Sequence, residues 1–178
     1  TIHYQNPKVV VGAIATWEDK ILMCKRAIEP RYGKWTLPAG FMENNETTGE
    51  AALRETLEEA GARVALGPMF TFVDIPHISQ IHIIYRAELL HLDFQPGEES
   101  LEAVLMTEAE IPWGDIAFRS VDYTLRSFFD DRRRDPRPAQ HRLCRRDQPL
   151  RTLRSQSPDA GAGKEAPRRA RRGLDAGV

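Results

Sequence analysis

Residues 40–61 read G-F-M-E-N-N-E-T-T-G-E-A-A-L-R-E-T-L-E-E-A-G, and the reading of the whole chain starts from them. Thr47-Thr48-Gly49-Glu50 fits a capping box, with Thr47 as N-cap and Glu50 as its reciprocal partner. Gly61 falls where a glycine in the left-handed conformation ends a helix. At about 100° per residue, Glu55, Glu58 and Glu59 lie within an arc of about 100°, and Leu53, Leu57 and Ala60 fall on the opposite side. The spacing predicts a helix with an apolar face and a face carrying three carboxylates. Like charges at such spacing repel by a few tenths of a kcal/mol per pair. A cluster of hard oxygen donors suits Mg2+ or Mn2+, which would neutralise it. A solvated surface helix is the other meaning of an acidic face, but it accounts neither for the glycines nor for Arg54. Leu37 to Met42 is a short apolar segment, and Glu43-Asn44-Asn45-Glu46 is a loop by composition. The unit is strand, loop, acidic helix.

These residues resemble the Nudix box, G-x5-E-x7-R-E-U-x-E-E-x-G-U with U a bulky aliphatic. Gly40, Glu46, Arg54, Glu55, Glu58, Glu59 and Gly61 match its fixed positions. At average residue frequencies a chance match in a chain this long is on the order of one in a million. Thr56 and Ala62, at the two U positions, are smaller than the pattern expects, which bears on packing more than on chemistry. The resemblance extends to His3-Tyr4-Gln5-Asn6-Pro7-Lys8, Trp35 to Phe41, Pro76-His77-Ile78-Ser79-Gln80 and Glu110-Ile111-Pro112-Trp113. Those segments are similar to a bacterial and plant branch whose members usually carry a four-cysteine zinc ribbon ahead of Tyr-Gln-Asn-Pro. Members tend to hydrolyse ADP-ribose, FAD or related dinucleotides. The ribbon is lacking here and the first residue is Thr1, so the sequence is expected to begin inside a longer protein. The S-Q-P-W-P-F-P stretch of NADH diphosphatases is also lacking, which counts against NADH. The resemblance implies an α/β/α sandwich built on a mixed sheet and spans about residues 3–131.

Composition separates the chain into two parts. Residues 132–178 hold 14 Lys+Arg against 5 Asp+Glu, while residues 1–131 hold 11 against 21. The last aromatic is Phe129. A segment so basic and so poor in large apolar residues cannot bury enough surface to order itself, so residues 1–131 are expected to be the Nudix hydrolase domain and 132–178 a disordered tail. A basic tail is either an arm for nucleic acid or another acidic partner, or a passive extension. Without aromatics to stack on bases, nucleic acid is not the expected partner. Cys24 and Cys144 form no C-x-x-C pair or disulfide framework. No signal peptide opens the chain and no apolar run approaches about 18 residues, so no membrane span is expected and the cytoplasm is the expected location.

Strands are expected over Lys8–Trp17, Ile21–Arg26, Gln80–Leu90 and Leu101–Met106, the first two forming a hairpin about Glu18-Asp19-Lys20. Arg63–Leu66 and Met69–Val73 read as two extended pieces broken at Gly67-Pro68. Ser120–Phe129 reads as a helix with Ser120 as N-cap. Strands outnumber helices, which suggests a mixed sheet packed between helices.

The implied reaction is attack of water on one phosphorus of a pyrophosphate, releasing a nucleoside monophosphate. Glu55, Glu58 and Glu59 are the metal ligands in this reading, with Glu46 at the helix entrance binding a further ion directly or through water. The Gly40 carbonyl joins them by family resemblance. Arg54 lies one turn before Glu58 and either clamps that carboxylate for catalysis or forms an ordinary i,i+4 pair. The general base comes either from the box, Glu58 included, or from a later loop, where Glu98, Glu99 and Glu102 are available; Glu102 and Glu99 are the favoured pair. Arg26, Arg31 and Lys34 are candidates to meet phosphates or to be solvated surface. Trp35 and Phe41 are candidates to stack on a base or flavin, core packing being the other role for Trp35. The spacing of His77 and His82 fits no closed zinc site. An alternative substrate class is an oxidised nucleotide or a capped RNA, and a further alternative is a module that senses ADP-ribose without cleaving it. Relatives of this kind are often dimers, which makes a homodimer the assembly to consider, though no stretch of sequence identifies an interface.

Overall fold

The computed structural model describes residues 6–134. Seven strands form one sheet: β1 (Lys8–Trp17), β2 (Lys20–Arg26), β3 (Trp35–Thr36), β4 (Ala39–Phe41), β5 (Val64–Ile75), β6 (Gln80–Leu89) and β7 (Ser100–Met106). Their order is β3-β2-β1-β6-β5, with β4 paired to β1 and β7 to β2. β1 runs parallel to β6 from Lys8↔Gln80 to Thr16↔Glu88, and the other pairs are antiparallel, so the sheet is mixed. Two helices, α1 (Thr48–Ala60) and α2 (Arg119–Arg134), cover its two faces. The architecture is an α/β/α sandwich.

Alternation along the central strand decides which helix each residue meets. Val11, Ala13 and Ala15 of β1 point toward α1, among Ala51, Ala52 and Ala60. Ile14 points the other way, into a cluster with Met23, Ile84, Leu125, Phe128 and Phe129. The α2 side is filled by large residues, with Phe70–Phe128 and Phe128–Phe129 meeting edge to face at 6.0 and 5.6 Å. The α1 side is filled by small ones, so α1 lies close on the sheet. The two U positions are packing positions as expected: Thr56 is fully buried, its hydroxyl donating to the Ala52 carbonyl at 2.7 Å, and Ala62 is buried beside it.

The ends of α1 form as the sequence predicts. Thr47 Oγ1 accepts from the Glu50 amide, and Glu50 accepts from the Thr47 amide at 2.7 Å. Gly61 closes the helix at φ 59°, its amide donating to the Leu57 carbonyl.

Several details differ from the sequence reading. α1 buries the arc holding Glu55 and Glu59, while Leu53 and Leu57 are 39% and 48% exposed. The alanines and Thr56 on that arc permit close docking, and this outweighs the pull of two leucines. β5 is continuous through Gly67-Pro68 and absorbs the pair as a bulge between the Leu66↔Ala87 and Met69↔Tyr85 pairings. A proline without an N–H is tolerated there because β5 is an edge strand. β1 and β2 pair as a hairpin only at Thr16↔Ile21 and Trp17↔Lys20, after which β2 turns to β7 and β3. α2 starts before Ser120, because the Phe118 carbonyl accepts from the amides of both Val121 and Asp122. Ser120 is therefore not its cap; its hydroxyl hydrogen-bonds Nδ1 of His82 at 2.9 Å. α2 runs on through Arg134, and Arg132 donates to the Asp19 carbonyl at 3.0 Å, so a boundary at 131 falls inside the helix. The rest of the expected disordered tail, residues 135–178, lies outside the described residues. No described helix is long and apolar enough to cross a membrane.

Candidate active site

β4 and α1 bring the box residues together. β4 crosses the start of β1 with Gly40 opposite Val11, and α1 packs above it. Ala39 donates its amide to Glu59 Oε2 at 3.0 Å. The Glu55 carboxylate occupies the space that a Cβ on Gly40 would fill. Both carboxylates are buried, at 8% and 7% exposure, whereas the Glu58 side chain is 58% exposed.

Burial and like charge work against ionisation here. Burial is the main cause that pushes Glu59 up to about 7; the Ala39 amide opposes it, Glu55 adds to it, Arg26 opposes and Glu99 adds. Glu55 is raised mainly by burial, against the pull of Arg54, with Glu58 and Glu99 adding to the rise. Arg54 sits in the midst of the acids. Its Nε and Nη2 grip Glu46 at 3.0 and 2.7 Å, Nη1 reaches Glu55 at 2.7 Å and Glu58 at 3.0 Å, and Nη2 also donates to the Phe41 carbonyl. That grip, with the Glu43 amide, holds Glu46 below the usual carboxylate range. The i,i+4 contact to Glu58 expected from sequence is present, but it is one of several.

The fit to a divalent cation rests on donor chemistry: buried carboxylate oxygens crowd beside a backbone carbonyl segment, and the cation already among them is a guanidinium. Among the described residues no three acidic, histidine or cysteine side chains close on a single point. The donor types fit Mg2+ or Mn2+. Glu55, Glu58 and Glu59 would hold the ion, the first two being carboxylates that Arg54 also contacts.

The later loop divides its acids. Glu99 lies close enough for its charge to raise both Glu55 and Glu59. Glu102 points to Lys25 and pairs with it at 2.7 Å. Among the basic candidates, Arg26 faces Glu59, its Nε donating to the Pro30 carbonyl at 2.9 Å and its guanidinium lying 5.1 Å from the Phe118 ring. Arg31 is exposed, and Lys34 pairs with Asp115. Trp35 packs against the α2-side core, with Lys25 Nζ 5.6 Å above its ring. Phe41 is half-exposed beneath Lys8 Nζ at 5.1 Å. It lines an open groove of about 580 Å3 that Glu46 also lines. His82 is held by Ser120 and Gln80 on the α2 side of the sheet, and burial lowers its proton affinity.

Sequence reasoning missed the Ala39 amide, the Phe118 ring and the turn at Gln95-Pro96-Gly97. Only the last left a trace, a Pro-Gly pair, which marks a turn without saying what the turn touches.

Comparison with known proteins identifies the family. A NUDIX hydrolase structure from Nitrosomonas europaea is 58% identical, with a TM-score of 0.75 over 76% of this chain and 77% of that one. An ADP-ribose pyrophosphatase of Methanocaldococcus jannaschii is 31% identical over 113 residues, 61% of this chain and 67% of its own length. The human 8-oxo-dGDP phosphatase NUDT18 is 43% identical over 108 residues, 58% of this chain but only 33% of that protein. Residues 6–142 match the NUDIX domain. With the box assembled on β4 and α1 and well over half of the chain matched to the domain, the chain belongs to the NUDIX family and is an enzyme of it, a Nudix hydrolase.

Proposed function

We propose that this enzyme hydrolyses the pyrophosphate bond of a nucleoside diphosphate linked to another moiety, with ADP-ribose or FAD favoured, in the presence of Mg2+ or Mn2+. The observation that carries the reading is the Glu55 carboxylate packed against Gly40, with the charges of Glu55, Glu99 and Arg26 all acting on the buried Glu59. The archaeal relative named an ADP-ribose pyrophosphatase supports the substrate class.

When bound, a divalent cation neutralises charge on the phosphoryl oxygens and makes water a better nucleophile. Arg54 keeps Glu46, Glu55 and Glu58 in one array. Arg26, fixed through Nε and stacked on Phe118, turns its terminal amines to the phosphates. Glu99 takes the proton from water as the O–P bond forms, and the bridging P–O bond breaks to release the monophosphate. Glu102 is the less favoured base because Lys25 holds it. Glu58 remains a candidate within the box. Phe41 offers a half-exposed ring for a base or flavin, while Arg31 and Trp35 are more distant candidates for substrate contact.

A second reading, hydrolysis of an oxidised nucleotide, is favoured by the 43% identity to NUDT18. Assay of ADP-ribose, FAD, NADH, 8-oxo-dGDP and capped RNA with Mg2+ separates the two. Release of AMP from ADP-ribose or FAD is expected. Monophosphate formed only from the oxidised nucleotide would replace the first reading with the second, and binding of ADP-ribose without turnover would make the domain a sensor. Within the favoured reading, Glu58→Gln is expected to lower kcat by about 100-fold or more with the fold intact; a rate near wild type would remove the box cluster from the mechanism.

A further inference from the structure

We propose that the turn at residues 95–97 sets the position of Glu99, so that Gly97 is a positioning residue of the hydrolysis. This rests on the reading of Glu99 as the base. The last carbonyls of a helix lack intrahelical partners. In α1 the turn supplies two: the Gln95 amide donates to Ala60 at 3.0 Å and the Gly97 amide to Glu59 at 2.9 Å. Only glycine permits that contact at 97, because a Cβ there would collide with the Glu58 carbonyl oxygen. The turn is thus seated on the end of α1, hydrogen-bonded to the backbone of Ala60 and Glu59 and pressed against the carbonyl of Glu58, so two of its three contacts are to residues of the acidic cluster.

From Gly97 the chain is held again within three residues. The Ser100 amide donates to the Gly97 carbonyl at 3.1 Å, and the Ala27 amide donates to the Glu99 carbonyl at 2.8 Å. At the same place β7 carries a bulge: Lys25 pairs with Glu102 but Arg26 with Ser100, leaving Leu101 unpaired. A bulge turns the side chains around it. Glu99 is therefore strung between the end of α1, which bears Glu58 and Glu59, and the end of β2, which bears Arg26. Its charge is felt at Glu55 and Glu59, while Glu102, beyond the bulge, turns to Lys25. Displacing a reacting group by about 1 Å costs about 100-fold in rate, so loosening the turn is expected to act on catalysis through this one carboxylate.

The test is a double-mutant cycle on the intact chain with Gly97→Ala and Glu99→Gln, measuring kcat, KM, Mn2+ affinity by electron paramagnetic resonance and urea stability. Gly97→Ala is expected to lower kcat about 10- to 100-fold, with KM and Mn2+ affinity changing less than about twofold. The double variant is expected to be no slower than Glu99→Gln alone. If the two losses multiply, Gly97 acts independently of Glu99 and the inference falls while the base stands. If Glu99→Gln keeps the wild-type rate, the base assignment itself falls and takes this inference with it. Should Gly97→Ala fail to fold, Gln95→Pro, which removes the amide proton given to Ala60, carries the same expectation in the same cycle.

Discussion

Glu59→Gln isolates the electrostatic cost of the buried site. In the folded chain Glu59 ionises only near 7, against an ordinary value of 4.5. Below about pH 4.5 the folded and unfolded chains both carry it protonated and nothing is lost. As pH rises from there through 7, the unfolded chain releases the proton before the folded one does, and stability falls. Above 7 the loss is complete. At about 1.4 kcal/mol for each tenfold change in proton affinity, it amounts to roughly 3 kcal/mol. Glutamine keeps the shape and the acceptor for the Ala39 amide but cannot ionise. The variant is therefore expected to be more stable than wild type by roughly 3 kcal/mol at pH 8 in the presence of a chelator, and equal to it near pH 4. His82, lowered by burial, tilts both proteins the opposite way below about pH 6.5, and it cancels in the difference between them. Urea unfolding of both proteins with EDTA, from pH 4 to pH 8, measures that difference directly. Parallel curves separated by less than about 1 kcal/mol throughout would show that water or local movement relieves the carboxylate and that the site is not under the strain described. Adding Mg2+ at pH 8 is expected to raise wild type toward the variant.

Two further outcomes test how α1 is held. Thr47→Ala removes the hydroxyl that accepts from the Glu50 amide, leaving only the backbone half of the capping box, and is expected to cost about 1 kcal/mol, read as a lower urea midpoint with an unchanged slope. Leu53→Gln and Leu57→Gln, on the exposed arc, are each expected to change stability by less than about 0.5 kcal/mol; a loss of about 2 kcal/mol or more at either would mean that the leucines face a core.

The box was legible because its chemistry fixes residue types at fixed intervals: Gly40 must make room for Glu55, and Gly61 must turn left-handed. Strand lengths were legible from runs of apolar residues bounded by turn formers. Which face of α1 is buried was not legible. Periodicity counts apolar side chains, and here the large ones, Leu53 and Leu57, are outside while Glu55 and Glu59 are inside. Alanine carries little weight in such a count, yet Ala51, Ala52 and Ala60 let the helix approach. The start of α2 was misplaced for a related reason, since a serine beside a helix reads as a cap until its hydroxyl is seen committed to His82. The proposal of Glu99 rather than Glu102 as the base rests on the bulge at Leu101 and the pairing of β2 with β7, two strands separated by more than seventy residues, and no local pattern carries such a register.

The charge balance of the site follows from these placements. Of Glu46, Glu55, Glu58 and Glu59, the Arg54 guanidinium meets the first three, and it also donates to the Phe41 carbonyl. Glu59 receives only the Ala39 amide, and it is the carboxylate pushed furthest toward the neutral acid. A lysine at 54 would bring the same charge to a point, with three donors and no fork, so it would not span the same partners. Arginine there ties the loop acid Glu46 to Glu55 and Glu58 on α1, while Glu59, the deepest carboxylate, has no contact with that guanidinium. That unmet demand sits close to Gly40 and opposite Arg26, where a divalent cation held by the carboxylates and a phosphate facing Arg26 would each find a partner, and this is why the proposed pyrophosphate reading explains more of the geometry than a helix that merely displays its glutamates to water.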